Sequence, residues 1–250
     1  MKSLIAKRHT NLHKKHFRVG FECEFVLHTN KMSWDTLSKE LEKIHPDIYT
    51  DGDGSIEYNW ISSQSGVEIK TPPLTPYDSL IVLHKVFSLI NKVGQTNRSC
   101  GLHASFSPVS NEAYKKVNPF KILDNPLWSK IKKDFKREQN YYCSRNPFNS
   151  DGKRLAKRKI KDPFDKWNAC LDGEYSDNKL DNELQDCICD YDGHSCDVNF
   201  DNYGECRQWD SRIEIRCMGN ENYQRKFGLV SKYVQQIIST LKRGYGIKFD

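Results

Sequence analysis

Between Arg18 and Leu27 the chain alternates: Phe21, Cys23 and Phe25 fall on one side of an extended backbone, Glu22 and Glu24 on the other. A period of two in so apolar a run predicts a strand with one face in a core. Helical spacing takes over after Ser33, where Trp34, Leu37, Leu41 and Ile44 line one side and Asp35 sits in the first turn. The stretch YTDGDGSIEYNW predicts a turn feeding a second strand, and SGVEIKTPPL a third, halted by Pro72 and Pro73. Leu80, Leu83, Phe87 and Ile90 mark a helix that Gly94 ends. In RSCGLHASFSP the alternation returns, with Cys100, Leu102, Ala104 and Phe106 opposed to Gly101, His103, Ser105 and Ser107. SRIEIRC predicts a final strand, and Phe227, Val230, Val234, Ile237 and Leu241 the inward side of a closing helix that stops at Gly244.

The 250 residues suit one large domain, spanning 1–250, with a loosely patterned and substrate-recognising insertion around 110–190. The mixture of strands and helices makes it α+β. Hydrophobic content of 37% and a mean hydropathy of −0.77 are low, yet 5 Trp, 12 Tyr and 12 Phe can build a core, which excludes a disordered chain. A net charge of +6 favours anionic ligands such as nucleotides or nucleic acid. The N-terminus lacks a signal-peptide core, and His84 and Lys85 interrupt the longest apolar run, so the expectation is a cytoplasmic protein with no membrane association. Nine cysteines without a secretion signal point to reduced thiols in place of a disulfide framework.

The strands carry an unusual number of acids. Asp53, Ser55 and Glu57 alternate in DGSIEYNW, Glu68 stands between Val67 and Ile69, and Glu214 lies between Arg212 and Arg216. Two glutamates on one face of a single strand fit an exposed antiparallel sheet. Acids on four strands need a better reason, because a carboxylate withdrawn from water is costly unless it is paired, protonated or on a metal. Carboxylate oxygens are the hard ligands that Mg²⁺ prefers, and arginines beside them hold phosphate oxygens, so Mg-nucleotide is the expected guest. His103, on the polar side of its strand, is a further candidate contact.

GFECEF, DGSIE followed by GVEIKTPPL, SCGLHASFS, REQNYYC, HSCDVNF and SRIEIR occur in an order and spacing that resemble the amidoligase family. That family is a branch of the glutamine synthetase and glutamate-cysteine ligase superfamily of carboxylate-amine ligases. The resemblance implies a curved antiparallel sheet, a glutamine synthetase-like half-barrel, with helices packed on its convex side. It also implies an ATP-dependent carbon-nitrogen ligase that works through an acyl phosphate and releases ADP and phosphate. Glu22, Glu24, Glu68, His103 and Glu214 would hold two or more Mg²⁺ ions. Arg212 and Arg216 would face the phosphates, with Glu214 beside them as the catalytic set, and His103 and Ser105 would join the two arginines around ATP. Asp53, Ser55, Glu57, Arg137, His194 and Asn199 would meet substrate, a small-molecule, peptide or macromolecular carboxylate and its amine partner. Two features depart from the family: Ser105 stands where a second histidine is usual, and DNYGECRQWD lengthens the link between HSCDVNF and SRIEIR.

Two other readings compete. Cys187, Cys189, His194 and Cys196 offer a zinc-site reading, but Cys-x-Cys-x4-His-x-Cys is not a standard finger, and scattered reduced thiols are preferred. The basic segment 153–161, KRLAKRKIK, and the basic N-terminal arm suit a nucleic-acid-binding protein, or a docking surface for nucleic acid or an acidic protein. The nucleic-acid reading explains the charge but gives no reason for glutamates on four strands, which repel phosphate in the absence of metal.

Overall fold

One long strand organises the sheet in the computed structural model, which describes residues 16–59, 63–109, 117–143, 161–171, 182, 196–200 and 211–246. This strand, β1 (Phe17–His28), pairs antiparallel on one side with β3 (Gln64–Lys70) and on the other with β5 (Gly101–Pro108). β2 (Tyr49–Gly52) extends the sheet beyond β3, and β7 (Ile213–Gly219) followed by β6 (Val198–Asn199) extends it beyond β5. The two-residue β4 (Gly94–Gln95) pairs with the end of β1. Among the described residues all the strand pairs are antiparallel.

The helices form where caps and periodicity agree. α1 (Trp34–Ile44) starts at Ser33, whose hydroxyl accepts from the Thr36 amide, and buries Leu37 and Leu41. α2 (Pro76–Val93) is capped by Thr75, with Pro76 in its first turn where a missing N–H costs nothing. α6 (Phe227–Gly244) buries Val230, Val234, Ile237 and Leu241. Their buried side chains share one core with the apolar side of the sheet, where Phe21, Cys23, Phe25, Leu102, Phe106, Ile213 and Ile215 are all buried. Each large aliphatic or aromatic side chain in that layer contributes about 1.5–3 kcal/mol by leaving water. The polar side of the same strands is left to the chemistry described below.

The half-barrel expected from the family resemblance is not what forms. Among the described residues the sheet runs as an open path from β2 to β6 whose ends do not pair, and it is not strongly curved. Its terminal strands have four and two residues, too short for the long, tilted and staggered strands that carry a sheet round into a barrel. The segment expected to be a turn feeding a strand has the opposite order: Tyr49–Gly52 is the strand, and 53–59 is turn and coil. Asp53 accepts both the amide (2.8 Å) and the hydroxyl (2.7 Å) of Ser55, a local turn that competes with strand pairing.

The loosely patterned region also holds helices: α3 (Pro119–Leu123), α4 (Leu127–Phe135) and α5 (Pro163–Leu171). α4 packs on β7 through Trp128, Ile131 and Phe135, all buried. Among the described residues, no helix is long and apolar enough to cross a membrane.

Candidate metal centre

The register of β1 determines which side chains meet. Glu22 is opposite Lys70 on β3 and His103 on β5, and Glu24 is opposite Glu68. On β7, Glu214 is opposite Ser105 of β5 and Asn199 of β6. Between Leu102 and Ala104 the register with β7 slips: His103 alone stands on β5 against both Arg216 and Cys217 on β7, so the extra residue of the bulge lies on β7. Bulges of this kind re-aim side chains.

The His103 ring lies between carboxylates. Its Nδ1 is 3.5 Å from a Glu22 oxygen and 3.3 Å from a Glu214 oxygen, and its Nε2 is 3.4 Å from Glu24. The ring is 3% exposed, and Nδ1 makes no hydrogen bond of good geometry. The other oxygen of Glu24 accepts the Gly101 amide at 2.5 Å, and Glu214 accepts from Asn199 at 3.2 Å and from Arg216 at 3.0 Å. Glu68 is 2.8 Å from the Lys70 ammonium, which also meets Asp51 at 3.0 Å. Glu22, Glu24, Glu68, His103 and Arg216, with Lys70 and Asp51 beside them, line an open cleft of about 630 Å³ that Asp53 and Ser55 also border.

Gly101 is required by this packing. A Cβ there would lie 2.4 Å from His103 Nε2 and 3.1 Å from both Glu24 oxygens. The absent side chain is what lets the backbone amide approach the carboxylate.

The charges are strongly coupled. Burial and the nearby Arg216 push His103 down, but Glu24, Glu214 and Glu22 outweigh them and raise it to about 9. Burial acts to raise Glu214, yet His103 and Arg216 hold it at about 2. For Glu22, burial is likewise overcome by its contact with His103, leaving the carboxyl below its ordinary range. Glu68 goes the other way: burial, reinforced by Glu22 and only partly offset by Lys70, lifts it to about 7. One cation is therefore shared among several acids, and one of those acids is kept partly protonated.

Two sets of ligand atoms lie within 4.8 Å of one another: Glu22, His103 and Glu214, and Glu24, Glu68 and His103. Mixed carboxylate and imidazole donors suit a small divalent ion. The buried Nδ1 without a hydrogen bond supports the same fit, because a nitrogen withdrawn from water needs a partner.

Of the residues expected from the sequence, Glu22, Glu24, Glu68, His103 and Arg216 line this cleft together with Asp53 and Ser55, and Glu214, supported by Asn199, is buried behind them against His103. Ser105 is adjacent in register, with a buried hydroxyl that makes no hydrogen bond. Arg212 precedes β7, half-buried, and does not line the cleft. Glu57 lies outside it and pairs with Arg98 at 3.2 Å in solvent. Arg137 is buried away from the cleft surface. His194, Cys187, Cys189 and residues 153–160 lie outside the described residues; Cys196 is buried. Lys70 and Asp51 were absent from the expected set, although Lys70, two positions beyond Glu68 on a strand, had to share its face.

No protein-family profile matches this chain, and no curated protein is significantly similar to it in sequence.

Proposed function

We propose that the cleft takes divalent cations together with the phosphates of ATP, and that the protein is an ATP-dependent carbon-nitrogen ligase. The observation that carries this reading is His103, buried between Glu22, Glu24 and Glu214 with Arg216 on the same floor. So acidic a floor repels phosphate by itself. It accepts a nucleotide once cations offset its charge, and when bound Mg²⁺ supplies that neutralisation.

In such a ligase, a carboxylate oxygen of one substrate attacks the γ-phosphorus of ATP as the bond to the bridging oxygen breaks and ADP leaves. The amine of the second substrate then displaces phosphate from the acyl carbon and loses a proton. The chain contributes position and charge. Glu22, Glu24, Glu68, His103 and Glu214 would hold the cations. Arg216, fixed through Glu214, keeps its buried Nε without a hydrogen-bond partner and directs positive charge toward the transferring phosphoryl group. Lys70 and Asp51 on the wall are placed to read a charged substrate group.

The test is thermal unfolding of the wild type and of Glu24→Gln with ATP, with Mg²⁺ and with both. A ligand bound only by the native state, at a hundredfold its dissociation constant, stabilises by about 2.7 kcal/mol. The expected result is a shift with the combination that the variant loses. A wild type indifferent to all three additions sinks the reading.

A further inference from the structure

Arg137 is 1% exposed, and no carboxylate pairs with it among the described residues. A buried cation without a counter-charge is costly, so its contacts call for an explanation. Nη1 donates to the carbonyl of Cys100 at 2.8 Å, and Nη2 donates to Asn140 at 3.3 Å. The Cys100 carbonyl belongs to the same peptide group as the Gly101 amide, and that amide donates to Glu24 at 2.5 Å. One peptide thus has a guanidinium at its oxygen and a carboxylate at its N–H. Each charge lies at the end of the peptide dipole that favours it, and each strengthens the other's hydrogen bond.

Arg137 is itself firmly held. Lys136 ends α4 in a left-handed conformation (φ 58°), and the Arg137 amide donates back to the Lys132 carbonyl at 2.8 Å, the six-to-one bond of a Schellman motif. On the other side, Gly219 (φ +128°) leaves room for the guanidinium, because a Cβ there would lie 2.4 Å from Nη1. The Asn220 amide donates to the same Cys100 carbonyl at 2.8 Å, so the peptide has little freedom to rotate.

We infer that Arg137 is a positioning residue for the cation centre: acting through the peptide between Cys100 and Gly101, it holds Glu24 with one oxygen tied to the backbone and the other turned toward His103. This rests on the reading of the cleft as a cation site. Outer-shell partners of ligands typically change metal affinity about 10- to 100-fold when removed.

The experiment measures two quantities on the wild type, Arg137→Met and Arg137→Lys: Mn²⁺ affinity by electron paramagnetic resonance, and the Gly101 amide proton shift in the metal-free protein by NMR. The expected result is Mn²⁺ binding weakened about tenfold in Arg137→Met and less in Arg137→Lys. The Gly101 proton moves upfield in the same order, and Glu24→Gln moves it too. A folded Arg137→Met with wild-type affinity and an unmoved Gly101 proton overturns the inference. If that variant does not fold, wild-type values in Arg137→Lys overturn it instead. If the wild type binds no Mn²⁺, the cation reading falls, and the Gly101 proton alone decides whether Arg137 acts on Glu24.

Discussion

Glu24 and Glu68 are directly opposite each other across the β1–β3 pair, two carboxylates where a sheet built for stability alone would avoid them. Burial and the charge on Glu22 raise Glu68 to about 7 even with the Lys70 ammonium 2.8 Å away. Glu68→Gln should therefore raise the stability of the metal-free protein, by about 0.2–1 kcal/mol on the scale of cross-strand pairs, while weakening Mg²⁺ binding. Denaturant unfolding in chelator and in Mg²⁺ checks both halves. A variant less stable in chelator would mean that the pair is not a site of stored repulsion.

The same coupling sets the pH response. His103 in the folded state is raised from 6.5 to about 9, so its contribution to stability is complete below pH 6.5 and is lost as pH rises through 9. Glu68, raised from 4.5 to about 7, acts in the same direction: its contribution is complete below 4.5 and lost as pH rises through 7. Glu214, lowered from 4.5 to about 2, contributes above 4.5 and loses its effect only as pH falls toward 2. Metal-free protein should thus lose stability between about pH 6 and 9, and added Mg²⁺ should restore most of it at the alkaline end, where fewer protons compete for the ligands. Melting temperatures across that range, with and without chelator, test this; a chelated profile that rises with pH contradicts it.

Much of this site could be read in the sequence because strand alternation is a local rule. Glu22 and Glu24 had to share a face wherever β1 lay, and so did Glu214 and Arg216. Which strands pair, and in what register, is not local. Nothing in GVEIK shows that Glu68 would be opposite Glu24, or that Lys70 would reach Asp51 on β2. Sheet curvature depends on strand length and stagger, so the half-barrel carried over from a family pattern failed at the short end strands β2 and β6. Arg137 was expected near substrate from its place in REQNYYC, and only the Schellman turn reveals its route to Cys100.

Gly101 offers a sharper test of the packing than any charged residue. Gly101→Ala places a methyl 2.4 Å from His103 Nε2 in a buried position where the nearest flexible atoms are the ligands themselves. His103 and Glu24 must move apart, so Mn²⁺ affinity should fall more than tenfold, with a loss of about 1–3 kcal/mol in stability from overpacking. Isothermal titration with Mn²⁺ and a melting curve measure the two effects; unchanged affinity would show that neither side chain serves as a ligand.

Lys136 permits the opposite kind of change, one that should strengthen the fold without touching the chemistry. It is exposed and left-handed at φ 58° and ψ 40°, at the position after α4 that glycine usually occupies. A left-handed backbone costs a residue with a Cβ roughly 1–2 kcal/mol, partly offset in Lys136→Gly by the greater freedom of glycine in the unfolded chain. The bonds made by this turn are retained, because they use the backbone: the Lys136 amide to Lys133, the Arg137 amide to Lys132, and the Lys136 carbonyl accepting from Asn220 at 2.7 Å. Lys136→Gly should therefore gain about 0.5–1 kcal/mol in denaturant unfolding while Mn²⁺ affinity stays at the wild-type value. A gain in stability accompanied by weaker Mn²⁺ binding would mean that the strained turn itself, and not the bonds it supports, holds Arg137 against the Cys100 carbonyl.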